Sequence, residues 1–201
     1  MKKIVLVLVI TLSVFVLSAC TMGMDNGPKE KVKAFLDKYK NQDSEVLDDL
    51  DETISSEYTG EYKERYKTLM LNQYKNMEYK ITDEVIDGNT AIVSADITVY
   101  DYASAITKAN NYLTEHEDEF KSKSSDETKK EDNLNEDKKD NSITNSIDNT
   151  KFLEYKLGLL ENVSDMTTYT IEFSLTKEDD NWKIDSLTDT DIEKLHGIYS
   201  E

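Results

Sequence analysis

The chain is poor in the residues that most often carry chemistry. It has one cysteine in 201 residues, Cys20, which excludes a disulfide within the chain. It has two histidines, His116 and His196, and neither stands in an HExxH or other paired spacing, so no zinc motif is present. Glycine-rich phosphate loops and Gly-x-Ser-x-Gly elbows are absent too. "DDLDE" and "TDTDIE" are acidic, but neither has the glycine and distant glutamate of an EF-hand loop. No cofactor and no metal are therefore expected. Positive charge is also scarce: 24 Lys and Arg face 42 Asp and Glu, a net charge of −18. Such a surface repels the phosphate backbone, which argues against a nucleic-acid partner, and it repels anionic lipid headgroups. Its plainest use is solubility.

Long apolar runs are limited to one. Lys2 and Lys3 precede Ile4–Leu17, and Ser18-Ala19 lead to Cys20. The run falls short of the roughly 20 apolar residues of a transmembrane helix and has the layout of a secretory signal peptide. Its end, "LSAC", resembles the lipobox of bacterial lipoproteins. That resemblance implies removal of residues 1–19, diacylation of the Cys20 thiol, and a lipid anchor on the extracytoplasmic face of the cell membrane. Two acyl chains suffice for stable anchoring. Lipidation would also leave no free thiol for catalysis or metal binding. Residues 20–27 then form a tether.

From Pro28 onward the pattern is that of one α+β domain, residues 28–201. Val32, Phe35, Leu36 and Tyr39 lie on one helical face, with Pro28 suited to the first turn. Asp43 or Ser44 can cap a second helix carrying Val46, Leu47, Leu50 and Ile54. A third helix is expected from about Glu61 to Asn76. The period then drops to two. "MEYKITDEVI" and "TAIVSADITVYD" read as a hairpin around Asp87-Gly88, where a type I′ turn is expected. A second hairpin pairs the Tyr169–Leu175 stretch with Trp182 and Ile184 across "KEDDN". Val93, Ile97, Val99, Ile171, Phe173 and Trp182 should share the buried face.

Two helices are expected between the hairpins. One carries Ala103, Ile106, Asn110, Leu113 and Phe120; the other carries Phe152, Tyr155, Leu159 and Val163, widened by Leu153, Leu157 and Leu160. Between them, residues 121–150 contain no aromatic residue and only three large aliphatics, and read as a flexible charged insertion. In "TDTDIEKLHGIYS", Thr190 and Glu193 fit a capping box, and Gly197 should end the last helix.

Two groups of residues can be read as sites. Asp101 lies between Tyr100 and Tyr102 with the parity of the apolar strand face, so it could be a general base or a ligand anchor. It also directly precedes a helical pattern, and the cap reading is preferred. Tyr62 and Tyr66 belong to a run of tyrosines that reads either as core with hydroxyls at the rim or as one wall of a pocket. Tyr62, Tyr66, Tyr100 and Asp101 are the candidate ligand-binding residues.

Taken together, "YKNMEYKITDEVIDGNTAIVSADITVYDYASAI" and "NWKIDSLTDTDIEKLHGIY" resemble uncharacterised lipoproteins of low-GC Gram-positive bacteria with a cystatin-like, nuclear-transport-factor-2-like domain. The resemblance implies helices packed on a curved antiparallel sheet. That superfamily holds both binding domains and enzymes of the ketosteroid-isomerase type, so fold alone does not choose. The expected role is a non-catalytic binding or scaffold module for a small molecule, peptide or envelope protein. The catalytic alternative needs Asp101 or Asp96 as base inside an apolar pocket.

Overall fold

A computed structural model describes residues 27–122 and 147–200. The expected signal peptide, Cys20 and the expected tether up to residue 26 lie outside the described residues, as do positions 123–146 of the expected insertion.

Three helices come first: α1 (Pro28–Asn41), α2 (Ser44–Glu57) and α3 (Gly60–Asn76). Strands β1 (Glu78–Asp87) and β2 (Thr90–Tyr100) follow, then α4 (Tyr102–Glu115), a 3-10 turn (Glu117–Phe120) and α5 (Asn149–Glu161). Strands β3 (Met166–Glu178) and β4 (Asn181–Ile184) and helix α6 (Asp189–His196) complete the order. The class is α+β: six α-helices among the described residues, and an open antiparallel sheet ordered β1-β2-β3-β4.

Strand parity sets the core. Val93, Ile97, Val99, Ile171 and Phe173 are fully buried, Trp182 is 9% exposed, and all belong to one hydrophobic cluster. Helix α1 supplies Val32, Leu36 and Tyr39 to it, with Phe35 set edge-on to Phe173 at 5.8 Å. Pro28 occupies the first turn of α1, where its missing N–H costs nothing. The Lys29 N–H there is satisfied from the sheet, donating to Glu84 Oε1 at 2.9 Å. Asp43 stands at the N-cap of α2 but makes no side-chain cap bond.

The turn chemistry differs from expectation at the first hairpin, and the second turns within "KEDDN" as expected. Asp87 pairs with Thr90, so the first loop is Gly88-Asn89, and only Gly88 takes positive φ (+59°). That is the type II′ pattern, not the expected I′. The second loop, Asp179-Asp180, has φ of 47° and 62° at its two residues, the requirement of a type I′ turn. Aspartate tolerates this conformation but gains from glycine's freedom there. Asp180→Gly should therefore stabilise the fold by about 0.5–1 kcal/mol, read as a higher urea midpoint at unchanged slope.

Two further expectations are corrected. The capping box on α6 is Thr188 with Asp191, not Thr190 with Glu193. "TDTDIE" carries the motif in two registers, and the helix starts at the earlier one, with Ile192 and Leu195 buried. Helix α4 ends at Glu115, so Phe120 does not continue its face; Ala103 is buried as expected, but with Tyr102, Ala105 and Ala109, and Asn110 is exposed. Helix α5 buries Leu157 and Leu160, while its Tyr155 stacks on Tyr112 at 4.6 Å and its Phe152 meets Phe120 edge-on at 5.7 Å. It has two apolar faces, one toward the core and one toward the aromatic end of α4.

The insertion is also narrower than read. Lys121 pairs with Ile147 in an antiparallel bridge, the Asp148 N–H donates to Phe120 O, and Asp148 caps α5. Helix α5 is held to α3 by Arg65, the single arginine of the chain, whose guanidinium donates to both Glu154 and Glu161 at 2.7–2.9 Å.

Candidate functional site

The inward stripe of α3 reads Leu69, Met70, Gln73 and Tyr74, and the buried Met77 follows at its C-cap. A glutamine in that row is costly unless its amide is satisfied. Gln73 is fully buried, and its Oε1 accepts the Tyr100 N–H at 2.8 Å. Its Nε2 donates to Tyr100 O at 3.2 Å and to His196 O at 2.8 Å. One side chain thus pins the end of β2 and the end of α6 to α3. Gly197 closes the same junction. It sits at φ +70°, its carbonyl accepts the Ala103 N–H at 2.8 Å, and a Cβ on it would lie 2.1 Å from Tyr100 O.

Next to this clasp lies His196, 4% exposed. Its Nε2 is 3.0 Å from the Tyr74 hydroxyl, and Tyr74 meets Tyr39 edge-on at 5.2 Å. His196 Nδ1 has no hydrogen-bond partner among the described residues. The ring borders a cavity of about 20 Å³ shared with Tyr39, Asp49, Thr53 and Tyr74, room for about one water molecule. Burial pushes His196 down to about 4 and Tyr39 and Tyr74 well up. Burial, then Glu45, raises Asp49. The histidine is therefore neutral at pH 7.

This has a measurable consequence. The unfolded chain takes a proton at His196 near its ordinary value of 6.5, whereas the native state does so only near 4. The stability is present above pH 6.5 and is lost as pH falls toward 4. The loss from this residue should approach about 3 kcal/mol, and urea midpoints at intervals from pH 7 to 4 measure it. His196→Gln should flatten that slope.

The clasp carries the walls of an open groove of about 570 Å³ at the end of the sheet. Its sides are the first turns of α4 (Asp101, Ser104, Lys108), the start of β3 (Thr168, Tyr169) and the tail after α6 (Tyr199). Tyr169 donates its hydroxyl to Tyr199 O at 3.0 Å, and the two rings stand edge-on at 5.8 Å. The Lys194 ammonium lies 5.4 Å from the centre of the Tyr199 ring. The lining is hydroxyl-rich with two aromatic rings and one charge of each sign, a surface that hydrogen-bonds and stacks.

Asp101 is in the groove wall, but as a cap. Its carboxylate accepts from Ser104 N at 3.0 Å and Ser104 Oγ at 2.6 Å, and its own N–H donates to Asp165 O. Asp96 lies on the outer sheet face and accepts from the Thr170 hydroxyl at 2.8 Å. Neither carboxylate stands in an apolar pocket. Tyr100 is half-buried beside the clasp, whereas Tyr66 stacks on Tyr58 at 4.4 Å in the first half of α3, as Tyr62 lies one turn earlier. Tyr66 and Gln73 are about 10 Å apart along the helix axis. The four residues read as one ligand site therefore fall into two places, and only Asp101 lines the groove. Gln73 escaped the sequence reading; His196, Gly197 and Tyr199 read as a packed helix-end residue, a helix stop and an inward-packing ring, but not as parts of a junction or a groove. For Gln73 the available signal was a polar residue in an otherwise apolar stripe.

Among the described residues no three metal-ligating side chains cluster, and no helix is long and apolar enough to cross a membrane. No known protein-family profile matches the chain, and no curated protein matches it. Among solved structures, it is similar to the ycdA protein of Bacillus subtilis, provisionally named a lipoprotein. The two share 13% identity and a TM-score of 0.43, over 86% of this chain and 56% of that one.

Proposed function

We propose that the protein is an exported lipoprotein, anchored through acylated Cys20 on the extracytoplasmic face of the cell membrane. Its cystatin-like, nuclear-transport-factor-2-like domain is a non-catalytic binding module, and the groove between α4, β3 and the C-terminal tail takes the ligand. The observation that supports the module is the groove itself: an open, hydroxyl-rich cleft with aromatic walls, whose one carboxylate is committed to capping a helix. The partner is a small molecule, a peptide or an exposed segment of an envelope protein.

Two experiments test the halves separately. Cells expressing the full chain are labelled with a fatty acid; wild type should incorporate label and Cys20→Ala should not. Equal labelling of both would sink the anchor. For the groove, the mature chain is screened against envelope-derived small molecules and peptides by thermal shift. Ligands that raise the melting temperature of wild type should leave Thr107→Trp, whose indole fills the groove from an exposed position on α4, unchanged. Equal shifts in both proteins would place binding elsewhere.

A further inference from the structure

Among the described residues, three of the four large hydrophobic side chains most open to solvent lie at one end of the sheet; the fourth, Met166, is opposite Tyr100 at the other end. Val85 is 57% exposed, Ile86 53% and Ile92 45%, all in the β1–β2 hairpin. Val85 and Ile92 are direct cross-strand partners on the outer face, away from the helices. Ile86 is opposite Ala91, on the helix side. It is nevertheless exposed, because helical cover begins only with α1, whose first turn reaches the sheet at Glu84 through the Lys29 N–H. The hairpin end thus has exposed apolar side chains on both faces: Ala91 is covered on the helix side, but Val85, Ile86 and Ile92 are each roughly half open to solvent.

The chain enters the domain at this same end. Pro28 opens α1 beside Glu84, and Cys20 is eight residues earlier. Eight residues span at most about 28 Å when extended. An anchor at Cys20 therefore holds this end of the domain, and not the groove end, near the bilayer. Strand β2 runs from the hairpin at Thr90 to the clasp at Tyr100, so the groove lies about 34 Å further out. The charge at the hairpin decides the kind of contact. Asp83, Glu84 and Asp87 flank the aliphatics, which rules against recruitment by anionic headgroups and leaves apolar insertion.

We infer that the tip of the β1–β2 hairpin is a bilayer-contact surface, with Val85, Ile86 and Ile92 seated in the headgroup layer and the ligand groove facing outward. This rests on the anchored reading of Cys20. Tight association of the hairpin with a second copy is the competing occupant.

The test supplies the anchor chemically, so its outcome does not depend on acylation in cells. The mature chain is coupled through its one thiol to maleimide-phosphatidylethanolamine in phosphatidylcholine vesicles. Tryptophan emission is quenched with brominated lipid, with uncoupled Trp182 emission as baseline. Val85→Trp should be quenched at least two-fold and Thr107→Trp, at the groove, should not. In the wild-type chain, amide exchange over residues 83–92 should slow several-fold on coupling, and the Val85→Ser, Ile86→Ser, Ile92→Ser triple variant should lose that protection. Absence of quenching at Val85, or equal quenching at Thr107, overturns the orientation. Equal protection in concentrated uncoupled protein assigns the surface to a second copy and overturns the lipid contact.

Discussion

Gly197→Ala should destabilise the domain by about 4 kcal/mol or more, in the range reserved for severe local conflicts. Two effects add. The residue holds φ +70°, which disfavours any side chain. The new Cβ would also lie 2.1 Å from Tyr100 O and 2.4 Å from Gln73 Nε2. The first neighbour is backbone fixed at the end of β2, so the junction must open rather than a side chain swing away. Opening it breaks the Gln73 hydrogen bonds to Tyr100 and His196 and the Ala103–Gly197 bond together. Gly88→Ala separates the two effects: Gly88 has φ +59° but nothing within 4 Å of its missing Cβ, so only the conformational cost of about 1 kcal/mol should appear. Urea unfolding of both variants checks this. Equal costs would mean that the Tyr100 contact relaxes easily.

Phe173→Ala is expected to cost about 3–5 kcal/mol. Phe173 is fully buried in the middle of β3, opposite Val93 and against Phe35 of α1, so truncation leaves a void bounded by sheet and helix. Neither wall can collapse readily, since α1 is also tied to the sheet through the Tyr79–Asp37 hydrogen bond of 2.5 Å and the Lys29–Glu84 bond. Ile92→Ala, one residue from Val93 on the outer face, serves as the control and should cost well under 1 kcal/mol. Chemical denaturation with a constant slope would give both numbers. A small cost at Phe173 would require a core far more adaptable than these contacts describe.

The sequence was most informative where one local rule acts alone. Period-two alternation placed Val93, Ile97, Val99, Ile171 and Phe173 inside, because a strand has only two faces to choose between. Asp101 was legible as a cap for the same reason: the bond it makes spans three residues. Where two local solutions compete, the reading failed. "TDTDIE" holds the capping motif twice, and packing of Ile192 and Leu195 selects the first. Glycine marked the first hairpin correctly but not its type, while the type I′ turn formed on two aspartates. The clasp as a junction was out of reach, although Gly197 was legible as a helix end and Gln73 stands out as a polar residue in an apolar stripe. Gln73 and His196 are 123 positions apart, and no local pattern announces that a helix glutamine will read two distant carbonyls.

The Lys121–Ile147 bridge has a practical meaning for anyone wishing to alter this protein. The chain leaves at Lys121 and returns at Ile147 as paired neighbours, closed off by the Asp148–Phe120 hydrogen bond. That makes a port in the scaffold, through which foreign sequence can be exchanged without cutting the sheet or the groove. Doubling the length of a flexible guest costs only about 0.6 kcal/mol in closure entropy. A reporter, an affinity handle or a protease site can be fitted there.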